Sequence, residues 1–413
     1  MEFITDIKKE DYSKFVINHE MSHFLKSYEW GQACIHRGLI PHYVGVKNKK
    51  KIVATALLLE KRLPLGYSYF YIPRGFTIDY KDFELIEFFT KEIAKYTKKR
   101  KSIFFKIDPD IFMHKIDKDA KPIKDEANNY ELVNFFKKIG YKHQKLNLYF
   151  ENMQPRFTFR VDLDKSIDEV RSNYSKSVKR FIKQADKYGV TVKAGNKKDI
   201  NEFVRLMKLT EKRQGFFSHD YDFYEQLYNL FEPINAIDVM IAKVNIPNMC
   251  NILEEEINSC ENEEKKEKLL ERKKLYEELS KENKNPAISS YVTINYGNKG
   301  WYLYGANDMD FKDTLANYKL FDYQIEHLSK LGVKIFDEFG TVGDPNTKKS
   351  VAGLHEFKKK FGGEYTEFIG EFNYITNPLM NFVFEKLVPL YRKPRRWINH
   401  LKVKLQGGKN ENS

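Results

Sequence analysis

Three consecutive lysines, Lys358, Lys359 and Lys360, are bracketed by Phe357 and Phe361 and followed at once by Gly362-Gly363. A lysine beside a buried aromatic ring has its stem packed and its ammonium aimed at one point, and paired glycines let the backbone turn sharply or approach a ligand closely. On these residues alone, a basic solvated hairpin explains the stretch as well. Asp108 precedes Pro109 at the end of a strand-like run, where an exposed carboxylate can orient or deprotonate an amine. The same placement suits an aspartate that caps a turn. Tyr302 and Tyr304 alternate with Trp301 and Leu303, so both are expected on one face of a strand, and core packing is the plainer use of them. His19-Glu20-Met21-Ser22-His23 fits the H-E-x-x-H pattern, two histidines a helical turn apart for zinc and a glutamate as general base. His36 or His42 would have to be the third ligand.

The elements that must position these groups form a mixed α/β pattern. In the N-terminal part, residues 52–59 read as a buried strand and 67–72 as an aromatic one. Residues 83–96 have helical spacing, 103–107 are a strand, and a helix over 132–139 is stopped by Gly140. A second unit opens with a strand at 157–161 and helices over 166–188 and 199–212. It continues with strands at 236–244 and from 288, a strand at 301–304, a helix over 318–330 and a strand at 333–337. The expected fold is α/β, two tandem GNAT-like units. The first spans 1–154; the second spans 155–245 and 286–389. Residues 246–285, dense in Glu and Lys and without glycine, carry apolar residues at spacings of three, four and seven, which suits an inserted antiparallel helical hairpin (a coiled-coil arm). Residues 390–413 form a basic tail.

With 413 residues, a net charge of +13 and a pI near 9.1, the chain has the charge of a protein with an anionic partner: nucleic acid, a phosphorylated substrate or a membrane surface. The hairpin runs against this trend. Its eight Lys and Arg against eleven Asp and Glu leave it at −3, where an arm that neutralised phosphates should be basic, so a solvated hairpin or partner contact is expected. The positive charge gathers instead on one helix, at Arg171, Lys176, Lys179, Arg180, Lys183 and Lys187, and in the tail at Arg392, Lys393, Arg395, Arg396, Lys402 and Lys404. The tail interleaves Tyr391, Trp397 and Leu401, the pattern of a membrane-surface segment. Three cysteines, Cys34, Cys250 and Cys260, none at metal-ligand spacing, point to a reducing compartment. No signal peptide and no spanning stretch are expected. The reading is therefore cytoplasmic, with peripheral contact at the inner face of the membrane. The run after Tyr304 has one glycine and three aspartates, a poor cradle for a pyrophosphate. Coenzyme A is a poor donor on that ground, and the reading calls for no cofactor and no metal.

Several motifs, in order, resemble those of the Fem-type (FemABX) aminoacyltransferases, which build the peptide cross-bridges of bacterial peptidoglycan. They are Tyr71-Ile72-Pro73-Arg74-Gly75-Phe76, Lys106-Ile107-Asp108-Pro109-Asp110, Met207-Lys208-Leu209-Thr210 with Arg213, Tyr302-Leu303-Tyr304-Gly305-Ala306, and the stretch from Phe357-Lys358 through Gly362-Gly363 to Ile369-Gly370-Glu371-Phe372. The resemblance covers nearly the whole chain. It implies transfer of an amino acid, glycine by similarity to the branch that adds the first residue, from aminoacyl-tRNA (glycyl-tRNA) to the side-chain amine of the stem peptide's third residue. The acceptor is lipid II, with UDP-MurNAc-pentapeptide as the alternative. It implies that Lys358, beside Phe357, lies at the reacting centre, where a fixed cation meets a developing oxyanion, and that Asp108 serves the acceptor amine. It also implies that Arg213 meets the phosphates of the nucleotide sugar, that Tyr302 and Tyr304 line the muropeptide site, and that Arg74 binds substrate. Glycine-specific members carry a helical arm at the same place. Two departures stand out. Cys34 replaces a family lysine four residues after the tryptophan, leaving Arg37 or His36 to substitute, and Asp337-Glu338-Phe339-Gly340 replaces Asp-Phe-Gly-Gly, a turn to which no role is assigned. Two other classes compete: a zinc metalloprotease through His19, Glu20 and His23, and a non-catalytic tRNA- or membrane-binding module. The latter explains the charge but not Asp108, Lys358 and the two tyrosines.

Overall fold

The computed structural model describes residues 1–215 and 217–386; the basic tail expected over 390–413 lies outside them. The N-terminal part contains β1 (Glu2–Ile4), α1 (Lys9–Asn18), α2 (Tyr28–Ile35), β2 (Ile40–Asn48), β3 (Lys51–Arg62), β4 (Ser68–Ile72), α3 (Phe83–Lys98), β5 (Ser102–Ile107), β6 (Phe112–Lys115), α4 (Tyr130–Lys138) and β7 (Tyr141–His143). Local chemistry accounts for several of these boundaries. Asp82 caps α3 by accepting from the Leu85 amide, Lys95 and Lys98 stand at its C-terminal end, and Leu85, Ile86, Phe89 and Ile93 form its buried stripe. Residues 54–60 of β3 are buried without alternation, as befits a strand covered on both faces.

The second unit contains β8 (Phe157–Asp162), α5 (Ile167–Ser172), α6 (Lys176–Lys187), β9 (Thr191–Gly195), α7 (Ile200–Gln214), α8 (Tyr221–Phe231) and β10 (Ile237–Lys243). After these come α9 (Ile246–Asn258), α10 (Glu263–Glu282), β11 (Ala287–Tyr296), β12 (Lys299–Asn307), α11 (Ala316–Lys330), β13 (Ile335–Thr341), α12 (Ala352–Lys359) and β14 (Glu364–Phe368). Its strand order is β14, β8, β13, β12, β11, β10, β9. The single helix expected over 166–188 is two, because Ser175 caps a new start by accepting from Val178, and its own amide bonds to the Lys360 carbonyl instead of continuing α5. Helices α9 and α10 pack along each other, with Lys273 Nζ 3.2 Å from Glu254. Far from being solvated all round, their Leu253, Ile257, Leu269 and Tyr276 enter the unit's main core, where Tyr276 stacks on Phe311 at 5.2 Å.

The last strand, β15 (Phe372–Ile375), corrects the expected domain boundary. It inserts between β5 and β7, completing the first sheet in the order β1, β2, β3, β4, β5, β15, β7. Residues 368–386 thus fold with the first unit, not with the second as expected over 286–389. The cause is pairing at a distance: Phe372 lies opposite Ile107 on one side and His143 on the other, and its ring joins the core of Phe105, Phe136 and Ile107. In each sheet one neighbouring pair is parallel and bridged by a helix, β4 and β5 through α3, β12 and β13 through α11.

Candidate active site

Parallel strands that part at their C-terminal ends leave backbone groups with no ladder partner, and such ends are where α/β sheets hold ligands. Each unit has one such end, and each gathers residues singled out above.

In the first unit the β4–β5 pairing runs to Ile72 opposite Ile107. Asp108 is the next residue, and it is buried, 3% exposed, where an exposed carboxylate was expected. Its Oδ1 accepts the Arg74 amide at 2.7 Å and its Oδ2 accepts the Tyr71 hydroxyl at 2.9 Å. The carboxylate thereby holds the turn in which Arg74 (φ 54°) and Gly75 (φ 71°) are left-handed. Only glycine fits at 75, since a Cβ there would lie 2.5 Å from the Tyr80 hydroxyl and 3.1 Å from the Pro109 backbone. Burial pushes the Asp108 carboxyl up to about 7, opposed by the Arg74 charge and reinforced by Glu371. Glu371 itself pairs with Lys106. Arg74 is buried rather than offered to solvent, its guanidinium 4.6 Å from the Phe368 ring centre.

The second unit holds Lys358. The β12–β13 pairing stops at Trp301 opposite Asp337, and β13 bulges before it resumes pairing with β8 at Gly340. Asp337 fastens the bulge: its Oδ1 accepts from the Thr158 hydroxyl (2.5 Å) and the Phe339 amide (2.8 Å), its Oδ2 from Arg160 (3.0 Å). Phe339 takes φ 57°, and the carbonyls of Glu338, Phe339 and Gly340 turn toward one point. Lys358 Nζ, brought there by α12, donates to all three at 2.5, 2.9 and 2.8 Å. An ammonium has three donors, so Lys358 has none left for a substrate in this arrangement. It acts there through its charge, with Tyr302 facing it, the ring centre 5.3 Å from Nζ. Burial lowers the Lys358 ammonium to about 8, against the pull of Glu338 and Asp337.

Glu338 is the residue that sequence reasoning missed. Its side chain is fully buried, neither carboxylate oxygen has a hydrogen-bond partner among the described residues, and burial drives its pKa far above the carboxylate range despite the nearby lysine. The signal was present as the acid in the departing Asp337-Glu338-Phe339-Gly340 turn. Phe357 stands beside Lys358 in an aromatic group, its ring centre 5.0 Å from Tyr318 and 5.1 Å from Phe321.

Tyr302 and Tyr304 do not share a face. The β11–β12 register shifts between Val292, opposite Tyr304, and Thr293, opposite Tyr302, which leaves Leu303 out of step. A bulge of one residue reverses the alternation. Tyr302 therefore packs on Tyr291 and Phe321 beside Lys358, whereas Tyr304 packs on Tyr224 of α8 at 5.4 Å. Arg213 is exposed in the last turn of α7, its Nη1 3.5 Å from the Asn307 carbonyl. Arg37 is exposed just beyond α2, and Cys34, in the family lysine's place, is a buried thiol pushed up to about 12 by burial.

The zinc pattern is not built. Helix α1 ends at Asn18, so His19 and His23 are not a helical turn apart on one helix face. Each spends its Nδ1 on a local amide, His19 on Met21 (3.0 Å) and His23 on Leu25 (3.1 Å). His42, a proposed third ligand, has both ring nitrogens engaged, by Glu60 and Tyr96.

Comparison with known proteins places this architecture. The chain is 27% identical over 415 residues to the lipid II:glycine glycyltransferase of Staphylococcus epidermidis, covering 94% of this chain and 97% of that protein. It is 26% identical over 419 residues to the lipid II:glycine glycyltransferase of Staphylococcus aureus, covering 94% and 96%. Among solved structures, the crystal structure of FemX superposes with a TM-score of 0.77 at 26% identity, covering 93% of this chain and 100% of that one. The FemAB family model matches residues 7–275 and 259–387. From near its first strand to the end of its described residues, the chain carries that family's pattern, and it belongs to the FemAB family.

Proposed function

We propose that this protein is an aminoacyltransferase of peptidoglycan bridge synthesis, moving glycine from glycyl-tRNA to the side-chain amine of the third residue of the stem peptide on lipid II. The observation that carries the reading is the end-to-end match to relatives named lipid II:glycine glycyltransferases. The two sheets, each with one parallel pair bridged by a helix, support a tandem of GNAT-like acyltransferase units. The basic tail and a lipid-linked acceptor together support peripheral contact with the membrane; no helix among the described residues is long and apolar enough to cross one.

In this reaction the acceptor amine attacks the ester carbonyl of the aminoacyl group. A C–N bond forms, the ester C–O bond breaks, and the amine's proton ends on the released ribose hydroxyl. The chain's own residues supply field and position. Lys358 is the fixed cation, its charge held in place by three carbonyls and directed past Tyr302. Asp108 sets the Arg74–Gly75 turn, and its carboxyl, pushed up to about 7, is a group in the first unit able to accept a proton. Arg213 and Tyr304 meet the phosphates and peptide of the acceptor. The test is incubation of the purified chain with a pool of charged tRNAs and with lipid II or UDP-MurNAc-pentapeptide, the product read by mass. Gain of one glycine on lipid II is expected; no transfer to either acceptor would remove the reading, and transfer of alanine or serine to the UDP-linked acceptor would redirect it.

A further inference from the structure

A groove of about 750 Å³ runs between α6 and α10 in the second unit. Its walls present Arg180, Lys183 and Lys187 from α6 and Lys265, Lys268 and Arg272 from α10, against one acid, Glu256. That acid is already neutralised by Lys187 and accepts from the Tyr188 hydroxyl at 3.2 Å. Arg180, Lys183 and Lys265 are exposed and form no ion pair among the described residues. The hairpin's net −3 therefore describes the wrong quantity. Lys265, Lys268 and Arg272 are spaced i, i+3, i+7, which puts them on one helix face, the face that lines the groove. Lys268 also pairs with Glu264 and Arg272 with Asp313, while Glu254, Glu277 and Glu278 are engaged by Lys273 and Lys281 outside the groove.

The occupant must be a long polyanion. The groove is open and lined by flexible cations, unlike a buried pocket for a single small anion, and its lining from Arg180 to Tyr188 gives it a length of about 12 Å. A membrane-seated surface would carry apolar side chains able to enter the interface; here Leu269 is buried, and the exposed leucines of α10, Leu270 and Leu275, do not line the groove. The cationic strip also leads to the candidate site. Phe181, beside Arg180, packs on Tyr318 at 4.8 Å, Tyr318 packs on Phe357 at 5.0 Å, and Lys360 Nζ lies 5.7 Å from the Phe181 ring centre. We infer that the groove between α6 and α10 holds the phosphate backbone of an RNA whose end lies at the Phe357–Lys358 site. The inference deepens the proposed use of aminoacyl-tRNA and rests on it.

The experiment measures binding of uncharged tRNA to the full chain by fluorescence anisotropy over a salt series, with thermal melts to confirm folding. Arg180→Gln/Lys183→Gln and Lys265→Gln/Lys268→Gln are compared with Lys49→Gln/Lys50→Gln, two exposed lysines of the first unit. Each groove pair should weaken binding about tenfold and lower the salt slope by about two, one for each phosphate left without its cation, with the control unchanged. Groove variants with wild-type affinity and slope, in a chain that transfers glycine from glycyl-tRNA, would overturn the groove and leave the proposed function standing. A wild-type chain that neither binds tRNA nor uses it would overturn both. Loss of binding to phosphatidylglycerol vesicles with tRNA binding intact would make the groove a lipid surface, and the inference would fail.

Discussion

Lys358 donates through Nζ to the backbone carbonyl of Glu338 at 2.5 Å, while the carboxylate of that same glutamate lies fully buried beside it with no hydrogen bond among the described residues. The cation is thus bound to the turn and not to the acid. Two carbonyls further along complete its shell, and the carboxyl is left in a medium that favours its neutral form.

Glu338→Gln tests that arrangement. A carboxyl whose folded pKa lies above its unfolded value holds its proton longer in the folded state, so its contribution to stability is lost as pH rises from the unfolded pKa toward the folded one. Glutamine has the same shape and no such loss. The melting temperature of the variant minus that of wild type should grow more positive from about pH 4.5 toward neutrality. A difference that does not change with pH would mean that Glu338 is ionised in the folded protein.

Lys358→Met should cost both activity and stability. It removes the fixed charge and takes one donor from each of three carbonyls, of which that of Phe339 keeps the Thr158 hydroxyl at 3.1 Å; each group left unsatisfied costs about 1–3 kcal/mol. Glycyl transfer should fall by more than about a hundredfold, in line with loss of a preorganised electrostatic group, and urea unfolding should shift to lower concentration. Lys358→Arg should not rescue transfer, because a planar fork cannot place three donors on converging carbonyls. Turnover of Lys358→Met within a few-fold of wild type would remove the residue from the site.

Asp108→Asn should erase a pH dependence. With the carboxyl pushed up to about 7, wild-type transfer should climb as pH passes through that value and the carboxylate forms. The variant should lack that limb and run at most about a hundredfold slower at its plateau, a general-base contribution at the low end of its range. The sign for stability is opposite: the raised folded pKa means that the carboxyl's stabilising contribution is lost between about 4 and about 7. If the acid limb survives in Asp108→Asn, another group titrates there.

Gly305→Ala probes the face that Tyr302 presents to Lys358. A Cβ at 305 would overlap the Tyr302 hydroxyl, so the ring must swing away from its packing on Tyr291 and Phe321. The expected cost is about 1–3 kcal/mol, with transfer reduced in parallel. Tyr302→Ala in the same chain removes the overlap but also the ring's packing on Tyr291 and Phe321, so neither stability nor activity should return. Full activity in Gly305→Ala would mean that the position of this ring does not matter to transfer.

Local order was legible in the sequence. The apolar stripes of α3 and α4, the stop of α4 near Gly140, the unbroken apolar run of β3 and the helical character of 246–285 all follow from residues a few positions apart, because the interactions that decide them close within one turn or one pleat. Motif order was equally local, and it led to the family. The tertiary structure decided what depends on residues far apart in the chain. Asp108 is a buried turn anchor because Tyr71 and Arg74, more than thirty positions upstream, close over it. Tyr302 and Tyr304 part because one residue slips in the β11–β12 register, and a period of two cannot announce its own interruption. Residues 372–375 return to the first sheet because the place between β5 and β7 is open to them. The hairpin's charge acquires meaning only when packing sorts it onto faces: a sum over a segment is the same whether its lysines line a groove or are scattered around the helix.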